Sequence, residues 1–131
     1  MAAAESYPED LKYHEEHDWA RLDGEEAVLG ITWFATDALG ELVHFEPPAV
    51  GSNVAQGQSY GEVESVKAVS DLIAPLSGEV LEVNQQVADA PETVNEDPYG
   101  AGWLIRVRLS NPAEADGLLD VEAYKQILAD Q

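Results

Sequence analysis

The chain has 131 residues, of which 45% are hydrophobic and 8% aromatic, so it suits one folded domain with one modest core, which we expect to span residues 1–131. Its 26 acidic and six basic side chains give a net charge of −20. This charge argues against nucleic acid and anionic membranes as partners, because both are bound through clustered Lys and Arg.

Cysteine is missing from the chain, which excludes disulfides, thiolate nucleophiles and zinc–thiolate sites. Any sulfur chemistry must therefore come from an attached group. No apolar run is long enough to span a membrane, and the N-terminus lacks the features of signal and transit peptides, so we expect a cytoplasmic protein. The acidic surface favours encounter with basic protein surfaces. A solvated surface without a particular partner and an adaptation to high salt are the alternatives.

Alternating hydrophobic residues and turn signals predict a mostly-β domain with small helices at its edges. Asp23 and Gly24 supply the turn of the first hairpin. Thr32 is expected to cap a short helix that ends at Leu39, with Gly40 just beyond its C-terminus. The expected strands outside the central hairpin are residues 17–22, 27–31, 41–45 and 103–109.

The second half of the chain adds three expectations. Residues 61–64 and 78–82 are similar in sequence, as a pseudo-two-fold β-sandwich or flattened barrel would produce. Residues 88–102 are polar and rich in turn formers, which predicts a surface loop. A short helical turn follows Asn111-Pro112, and a C-terminal helix at about 120–129 is expected to dock its apolar stripe on the core. That stripe consists of Val121, Tyr124, Ile127 and Leu128.

The strand at residues 103–109 is the clearest in the chain, because apolar and basic residues alternate along it. Arg106 and Arg108 fall on one face, where we expect them to offset neighbouring carboxylates. The apolar residues Trp103, Ile105, Val107 and Leu109 fall on the other face.

Only three lysines occur in the chain, and Lys67 is the one with unusual surroundings. Strand-like residues precede and follow it, which predicts a hairpin at about 60–74 with Val66 and Lys67 at its tip. The tip lacks Gly, Asn, Asp and Pro. A valine there breaks a local preference without an evident gain in stability, as expected where function dictates the residue.

A turn centred on residues 66 and 67 fixes which residues of the hairpin face each other. The expected pairs are Ser65 with Ala68, Val63 with Ser70, and Glu62 with Asp71. Facing carboxylates cost a little stability and form an acidic collar around one exposed lysine. An ammonium at a turn tip stays solvated and accessible to an enzyme that acylates it. An ordinary surface lysine is the alternative.

Residues 63–68, followed by Ser70 and Asp71, resemble the lipoylation motif of the glycine cleavage system H protein family. The resemblance extends over nearly the whole chain. It includes Tyr13 with residues 16–19, residues 30–32, residues 39–40 with Val43, Pro75 with residues 77–80, and residues 82–84, 94–100 and 102–105.

The resemblance implies a hybrid lipoyl/biotinyl-carrier barrel-sandwich of two antiparallel sheets, with short peripheral helices and a C-terminal helix. Lys67 is then the site of one covalent lipoic acid. The hairpin recognised by the lipoylating enzyme consists of Glu62, Glu64, Ser65, Val66, Ala68, Ser70 and Asp71.

The implied activity is that of a carrier, with no catalytic residues of its own. It takes the aminomethyl group of glycine from a glycine decarboxylase that uses pyridoxal phosphate. It delivers this group to an aminomethyltransferase that uses tetrahydrofolate. A flavin-dependent dihydrolipoamide dehydrogenase then reoxidises the dithiol with NAD.

Several features depart from the family pattern or favour other classes. Trp33-Phe34 and residues 45–48 differ from the commoner family residues. A biotin carrier is an alternative, although biotin domains usually flank their lysine with methionines and Met1 is the only one here. A cofactor-free acidic module and an H-like relay of lipoyl groups are further alternatives. His14-Glu-Glu-His17 lacks the His-Glu-x-x-His spacing, so we expect no metal site.

Overall fold

The computed structural model describes residues 3–131 and contains two antiparallel sheets. The strands are β1 (Lys12–Tyr13), β2 (Asp18–Asp23), β3 (Glu26–Ile31), β4 (Leu42–Glu46), β5 (Asn53–Val54), β6 (Ser59–Ser65), β7 (Val69–Ile73), β8 (Gly78–Val83) and β9 (Ile105–Leu109). One sheet has six strands in the order β1-β2-β3-β9-β8-β5, and the other has three in the order β4-β6-β7.

Short helices connect and cover the sheets. They are α1 (Trp33–Leu39), α2 (Gln85–Asp89), α3 (Thr93–Glu96), a 3₁₀ helix (Pro112–Gly117) and α4 (Val121–Ala129). The expected class is therefore confirmed: two antiparallel sheets with short helices and a C-terminal helix. The two similar segments of the sequence lie in different sheets, one in β6 and the other in β8.

The β2–β3 hairpin turns one residue later than the sequence signal predicts. Asp23 still pairs with Glu26, so the turn residues are Gly24 and Glu25. Gly24 has a φ of +63°. A positive φ at the first turn residue alone fits a type II′ turn, for which glycine is the preferred residue.

Helix α1 carries the chain from the six-stranded sheet to the three-stranded sheet, and its predicted ends are confirmed. The Oγ1 of Thr32 accepts a hydrogen bond from the backbone N–H of Ala35 at 3.3 Å. The N–H of Gly40 donates to the carbonyl of Thr36, and Gly40 has a φ of +85°. These caps satisfy backbone groups that a short helix leaves unpaired.

The prediction of a surface loop over residues 88–102 is wrong. The segment contains the end of α2 and all of α3, and Val94 is fully buried. The Asn95 amide donates to the carbonyl of Gly40 at 2.9 Å and accepts from the N–H of Leu42 at 2.9 Å. Side-chain hydrogen bonds of this kind let a polar segment pack against the connection between α1 and β4, because its polar groups remain satisfied.

Strand β9 begins at Ile105, so the alternation predicted for residues 103–109 holds only from Ile105 onward. Leu104 and Ile105 are both fully buried, whereas Trp103 is half-buried. Arg106 lies 3.7 Å from a carboxylate oxygen of Glu82 and 4.0 Å from one of Glu26. Arg108 lies 3.4 Å from Glu79. The expectation that these arginines offset neighbouring carboxylates is confirmed.

The C-terminal helix packs onto an aromatic cluster at the β1 edge of the large sheet, as its apolar stripe predicts. The Tyr124 ring stacks on Tyr13 with a centroid distance of 4.6 Å. Its hydroxyl lies 2.8 Å from both the Nδ1 of His17 and the Oγ1 of Thr32. Helix α4 is therefore joined to the start of β2 and to the cap of α1.

The packing of Trp19 against Gly30 gives a test of this core. A Cβ at Gly30 would lie 2.5 Å from two carbons of the buried Trp19 indole. We expect Gly30→Ala to lower the free energy of unfolding by about 1–3 kcal/mol, as overpacking does. Gly117→Ala is the matched control because its Cβ meets nothing within 4 Å. Urea unfolding measures both, and equal stabilities of the two variants would contradict the packing described.

Candidate functional site

Strands β6 and β7 form a hairpin whose register agrees with the sequence prediction. Glu62 pairs with Asp71 and Val63 pairs with Ser70. The N–H of Ser65 donates to the carbonyl of Ala68 at 2.7 Å. Two residues, Val66 and Lys67, therefore form the tip.

The side chain of Ser65 holds the turn together from inside. Its Oγ accepts hydrogen bonds from the N–H of Lys67 at 3.3 Å and from the N–H of Ala68 at 3.1 Å. Ser65 is only 4% exposed. The hydroxyl thereby satisfies two backbone N–H groups of the turn, as Ser side chains do in local turns. This explains how the tip folds without glycine, asparagine or proline.

Lys67 is exposed at this tip, and its stem lies beside the end of helix α1. A Cβ built on Gly40 would lie 3.5 Å from the Cε of Lys67. None of the ion pairs found within residues 3–131 includes Lys67. Its amine can therefore meet an acylating enzyme without first breaking a salt bridge. An exposed, unpaired amine on a rigid hairpin fits a group attached through an amide bond.

The predicted acidic collar lies on the outer face of the three-stranded sheet. Its two members, Glu62 and Asp71, are exposed there, and Glu64 of the same strand is exposed as well. The structure adds Glu46, which pairs with Glu62 from the other side. The strand expected at residues 41–45 ends before Glu46, and its pairing with β6, with a bulge between Leu42 and His44, is a tertiary feature. Hydrophobic alternation alone does not reveal such a bulge.

A buried carboxylate lies near the base of the hairpin. Asp18 is 2% exposed, and one of its oxygens has no hydrogen-bond partner among residues 3–131. Burial raises its pKa well above the ordinary value, Glu16 raises it further, and the backbone N–H of Ile73 acts in the opposite direction. The Tyr60 hydroxyl also lacks a partner in the described chain, and burial followed by the Asp18 charge raises its pKa.

The two histidines of residues 14–17 and the pair Trp33-Phe34 contact different parts of the fold. The Nδ1 of His14 accepts from the N–H of Glu16 at 3.1 Å, whereas His17 bonds to Tyr124. Trp33 donates from its indole to the carbonyl of Ala3 at 2.8 Å, and Phe34 packs on His17 with a ring distance of 4.5 Å. The unusual pair Trp33-Phe34 therefore anchors the N-terminal segment and the start of β2.

A small two-sheet β domain that presents an exposed lysine at a hairpin tip is the arrangement of a carrier domain. The model of the glycine cleavage H-protein family matches residues 11–131. The chain belongs to this family.

Individual relatives agree with this assignment. The chain is 52% identical over 124 residues to a glycine cleavage system H protein of Carboxydothermus hydrogenoformans, with 95% of each chain covered. It is 54% identical over 117 residues to one of Symbiobacterium thermophilum, covering 89% of this chain and 91% of the relative. A crystal structure of a glycine cleavage system H protein from Mycobacterium marinum matches with a TM-score of 0.85 and 41% identity, covering 94% of this chain and 99% of that chain.

Family membership confirms the function that the sequence resemblance implied. The protein is a lipoyl carrier of the glycine cleavage system that shuttles the aminomethyl group, and it is not an enzyme. The family's cofactor is a covalently attached lipoyl group. The biotin carrier and the cofactor-free acidic module are therefore set aside.

The turn contacts of Ser65 predict a measurable contribution to stability. Ser65→Ala removes the acceptor of two N–H groups, and we expect it to lower the free energy of unfolding by about 1 kcal/mol. Ser70→Ala is the control, because within residues 3–131 the Ser70 hydroxyl makes only one hydrogen bond, to the carbonyl of Asp71 at 3.3 Å. Chemical denaturation of both variants checks this. A Ser65→Ala variant as stable as the control would show that the hydroxyl does not hold the turn.

The buried carboxylate predicts an unusual pH dependence. The pKa of Asp18 is raised in the folded state, so the protonated carboxyl is the form that the fold favours. Its contribution to the free energy of unfolding is complete below the ordinary carboxyl pKa. That contribution is lost as the pH rises through the raised pKa. We expect Asp18→Asn to raise the melting temperature at neutral pH, with the gap to wild type narrowing in acid. The exposed Asp116→Asn serves as control. A gap that widens in acid would mean that the charged form of Asp18 stabilises the fold.

Proposed function

We propose that Lys67 is the single lipoylation site of this carrier, with the lipoyl carboxyl joined to Nζ in an amide bond. The observation that carries the proposal is the place of Lys67: an exposed residue at the tip of a hairpin whose turn is closed by Ser65. The other two lysines lie elsewhere. Lys12 is half-buried in β1, and Lys125 lies within helix α4.

The chain's own contribution is to hold and present the attachment point. Hydrogen-bonded strands on a buried base fix the hairpin, with Val63 and Leu72 each 1% exposed. The lipoyl group, when attached, supplies a disulfide that accepts the aminomethyl group. A fixed base with a flexible tether raises the effective concentration of the carried group at each partner's site.

We infer that the partners act in sequence on this one tip. A lipoylating enzyme modifies Lys67, and glycine decarboxylase then loads the arm. Aminomethyltransferase unloads it, and dihydrolipoamide dehydrogenase reoxidises it. Among the hairpin residues, Ser65 shapes the turn from inside. The recognition role falls to the side chains around it, which are Glu62, Glu64, Val66, Ala68, Ser70 and Asp71.

The domain organisation and the location of the protein are further parts of the proposal. One hydrophobic cluster contains residues of both sheets, such as Leu29 and Val63, which supports a single lipoyl-carrier domain over residues 1–131. No helix within residues 3–131 is long and apolar enough to cross a membrane. We place the protein in the bacterial cytoplasm, in keeping with the bacterial relatives that it resembles.

Replacement of Lys67 tests the attachment site. We expect Lys67→Arg to gain no lipoyl mass when it is co-expressed with a lipoylating enzyme and lipoic acid, because the guanidinium does not acylate. Its stability should stay within roughly 0.5 kcal/mol of wild type, as for other exposed substitutions. Intact-mass spectrometry and urea unfolding give the two readouts.

Lys12→Arg and Lys125→Arg are the matched controls, and both should gain one lipoyl group. A lipoyl mass on Lys67→Arg would place the attachment elsewhere. A large loss of stability in Lys67→Arg would assign the lysine a structural role instead.

A further inference from the structure

Residues 3–8 precede the first strand and hydrogen-bond to the two short helices α1 and α3. The N–H of Ala3 donates to the carbonyl of Asn95 in α3 at 2.9 Å. The carbonyl of Ala3 accepts from the indole of Trp33 in α1 at 2.8 Å. A single residue therefore bridges the two helices. We call residues 3–8 the N-terminal strap.

Two tyrosines fix the rest of the strap. The Tyr99 hydroxyl donates to the carbonyl of Ser6 at 2.6 Å and accepts from the backbone N–H of Trp33 at 2.9 Å. That N–H is one of those at a helix start that have no partner within the helix. The Tyr13 hydroxyl donates to the carbonyl of Pro8 at 2.6 Å. The strap is thus held along its length, and its contacts converge on the start of α1 and on α3.

Asn95 connects the strap to the surroundings of the attachment lysine. Its side-chain amide donates to the carbonyl of Gly40 and accepts from the N–H of Leu42, both at 2.9 Å. Gly40 in turn lies against the Lys67 stem, because a Cβ built on Gly40 would be 3.5 Å from the lysine Cε. The contacts therefore run from Ala3 to Asn95, from Asn95 to Gly40, and from Gly40 to the lysine stem.

Hydrogen bonds hold the outer side of the two helices, where apolar packing is absent. On the inner side, Val94 is fully buried in the main core, on which Leu39 also packs. On the outer side lies a cavity of about 340 Å³, and Ala3 and Asn95 are among the residues that line it. Helices of seven and four residues have little stability of their own. The hydrogen bonds beside this cavity therefore set where α1 ends relative to α3.

We propose that Asn95 is a positioning residue for the lipoyl group and that the strap keeps Asn95 in place. A lysine stem that lies against a fixed backbone samples fewer directions than a stem with water on all sides. The arm then leaves the hairpin within a narrower range of directions. This raises the share of docked complexes in which the end of the arm reaches the partner's reacting centre. The inference rests on the proposed lipoylation of Lys67 and adds residues that act on the carried group through Gly40.

Asn95→Asp tests the link between α3 and Gly40. The carboxylate keeps an acceptor for the N–H of Leu42 and loses the donor to the carbonyl of Gly40. With the lipoylated variant as substrate of glycine decarboxylase, we expect kcat for aminomethyl loading to fall about fivefold, because fewer docked arms are in position. KM for the carrier should stay within about twofold of wild type, since docking itself is not altered.

Trp33→Phe tests the strap, because it keeps an aromatic ring and removes the indole N–H that holds the carbonyl of Ala3. We expect the same fall in kcat with KM unchanged. Asn111→Asp and Trp103→Phe are the matched controls, made at an exposed asparagine and a half-buried tryptophan outside these contacts. Both should keep the wild-type kcat. Melting curves confirm that all four variants are folded.

A spectroscopic measurement on the unmodified chain reports the position of the lysine without any lipoyl chemistry. The Hε protons of Lys67 and the Hα protons of Gly40 should give a nuclear Overhauser effect in wild type and in both controls, because the stem lies against this glycine. The effect should weaken in Asn95→Asp and in Trp33→Phe.

The outcomes separate this inference from the function on which it rests. Variants that match their controls in both kcat and the Overhauser effect would refute the positioning role, and so would either change without the other. A raised KM with unchanged kcat would assign these residues to docking instead. An effect of Asn95→Asp alone would refute the role of the strap. A wild-type chain that shows the Overhauser effect but gains no lipoyl group on Lys67 would overturn the proposed function itself.

Discussion

The proposed role of Lys67 depends on one constraint: its side chain is exposed while the backbone beneath it is fixed. Hairpin tips usually achieve a tight turn with glycine or asparagine, which tolerate unusual backbone angles. Here the buried hydroxyl of Ser65 accepts from the N–H groups of Lys67 and Ala68 instead. The side chains of Val66 and Lys67 therefore take no part in the hydrogen bonds of the turn, and they are available to partners.

The fixed base of the hairpin comes from packing between the two sheets. Val63 and Leu72 point inward from β6 and β7 into the same cluster as Leu29 of β3. Helix α1 crosses between the sheets and brings Gly40 beside the lysine stem. Asn95 fixes the end of α1 by bonding to the carbonyl of Gly40. A displacement of α1 would therefore change the surroundings of the Lys67 side chain.

The parts of this site that sequence could predict are those governed by short-range periodicity. Strand alternation and a two-residue turn give the pairing of Glu62 with Asp71, and Thr32 and Gly40 mark the ends of α1. The helices within residues 88–102 were missed because their polar groups are satisfied by tertiary partners. Glu46 was missed because the expected strand ended at residue 45 and the pairing of β4 with β6 is a tertiary contact. The burial of Asp18 is likewise a tertiary property.

This chain is a carrier and not an enzyme, and we propose that Lys67 holds the group on which the chemistry of glycine cleavage takes place. The most direct measurement incubates the lipoylated protein with glycine labelled at its α-carbon and the pyridoxal-phosphate-dependent decarboxylase, then locates the label by peptide mass spectrometry. We predict one labelled aminomethyl group per chain, on the lipoyl group of the peptide that contains Lys67. A lipoylated chain that takes up no label, or a label on any other residue, would contradict the account.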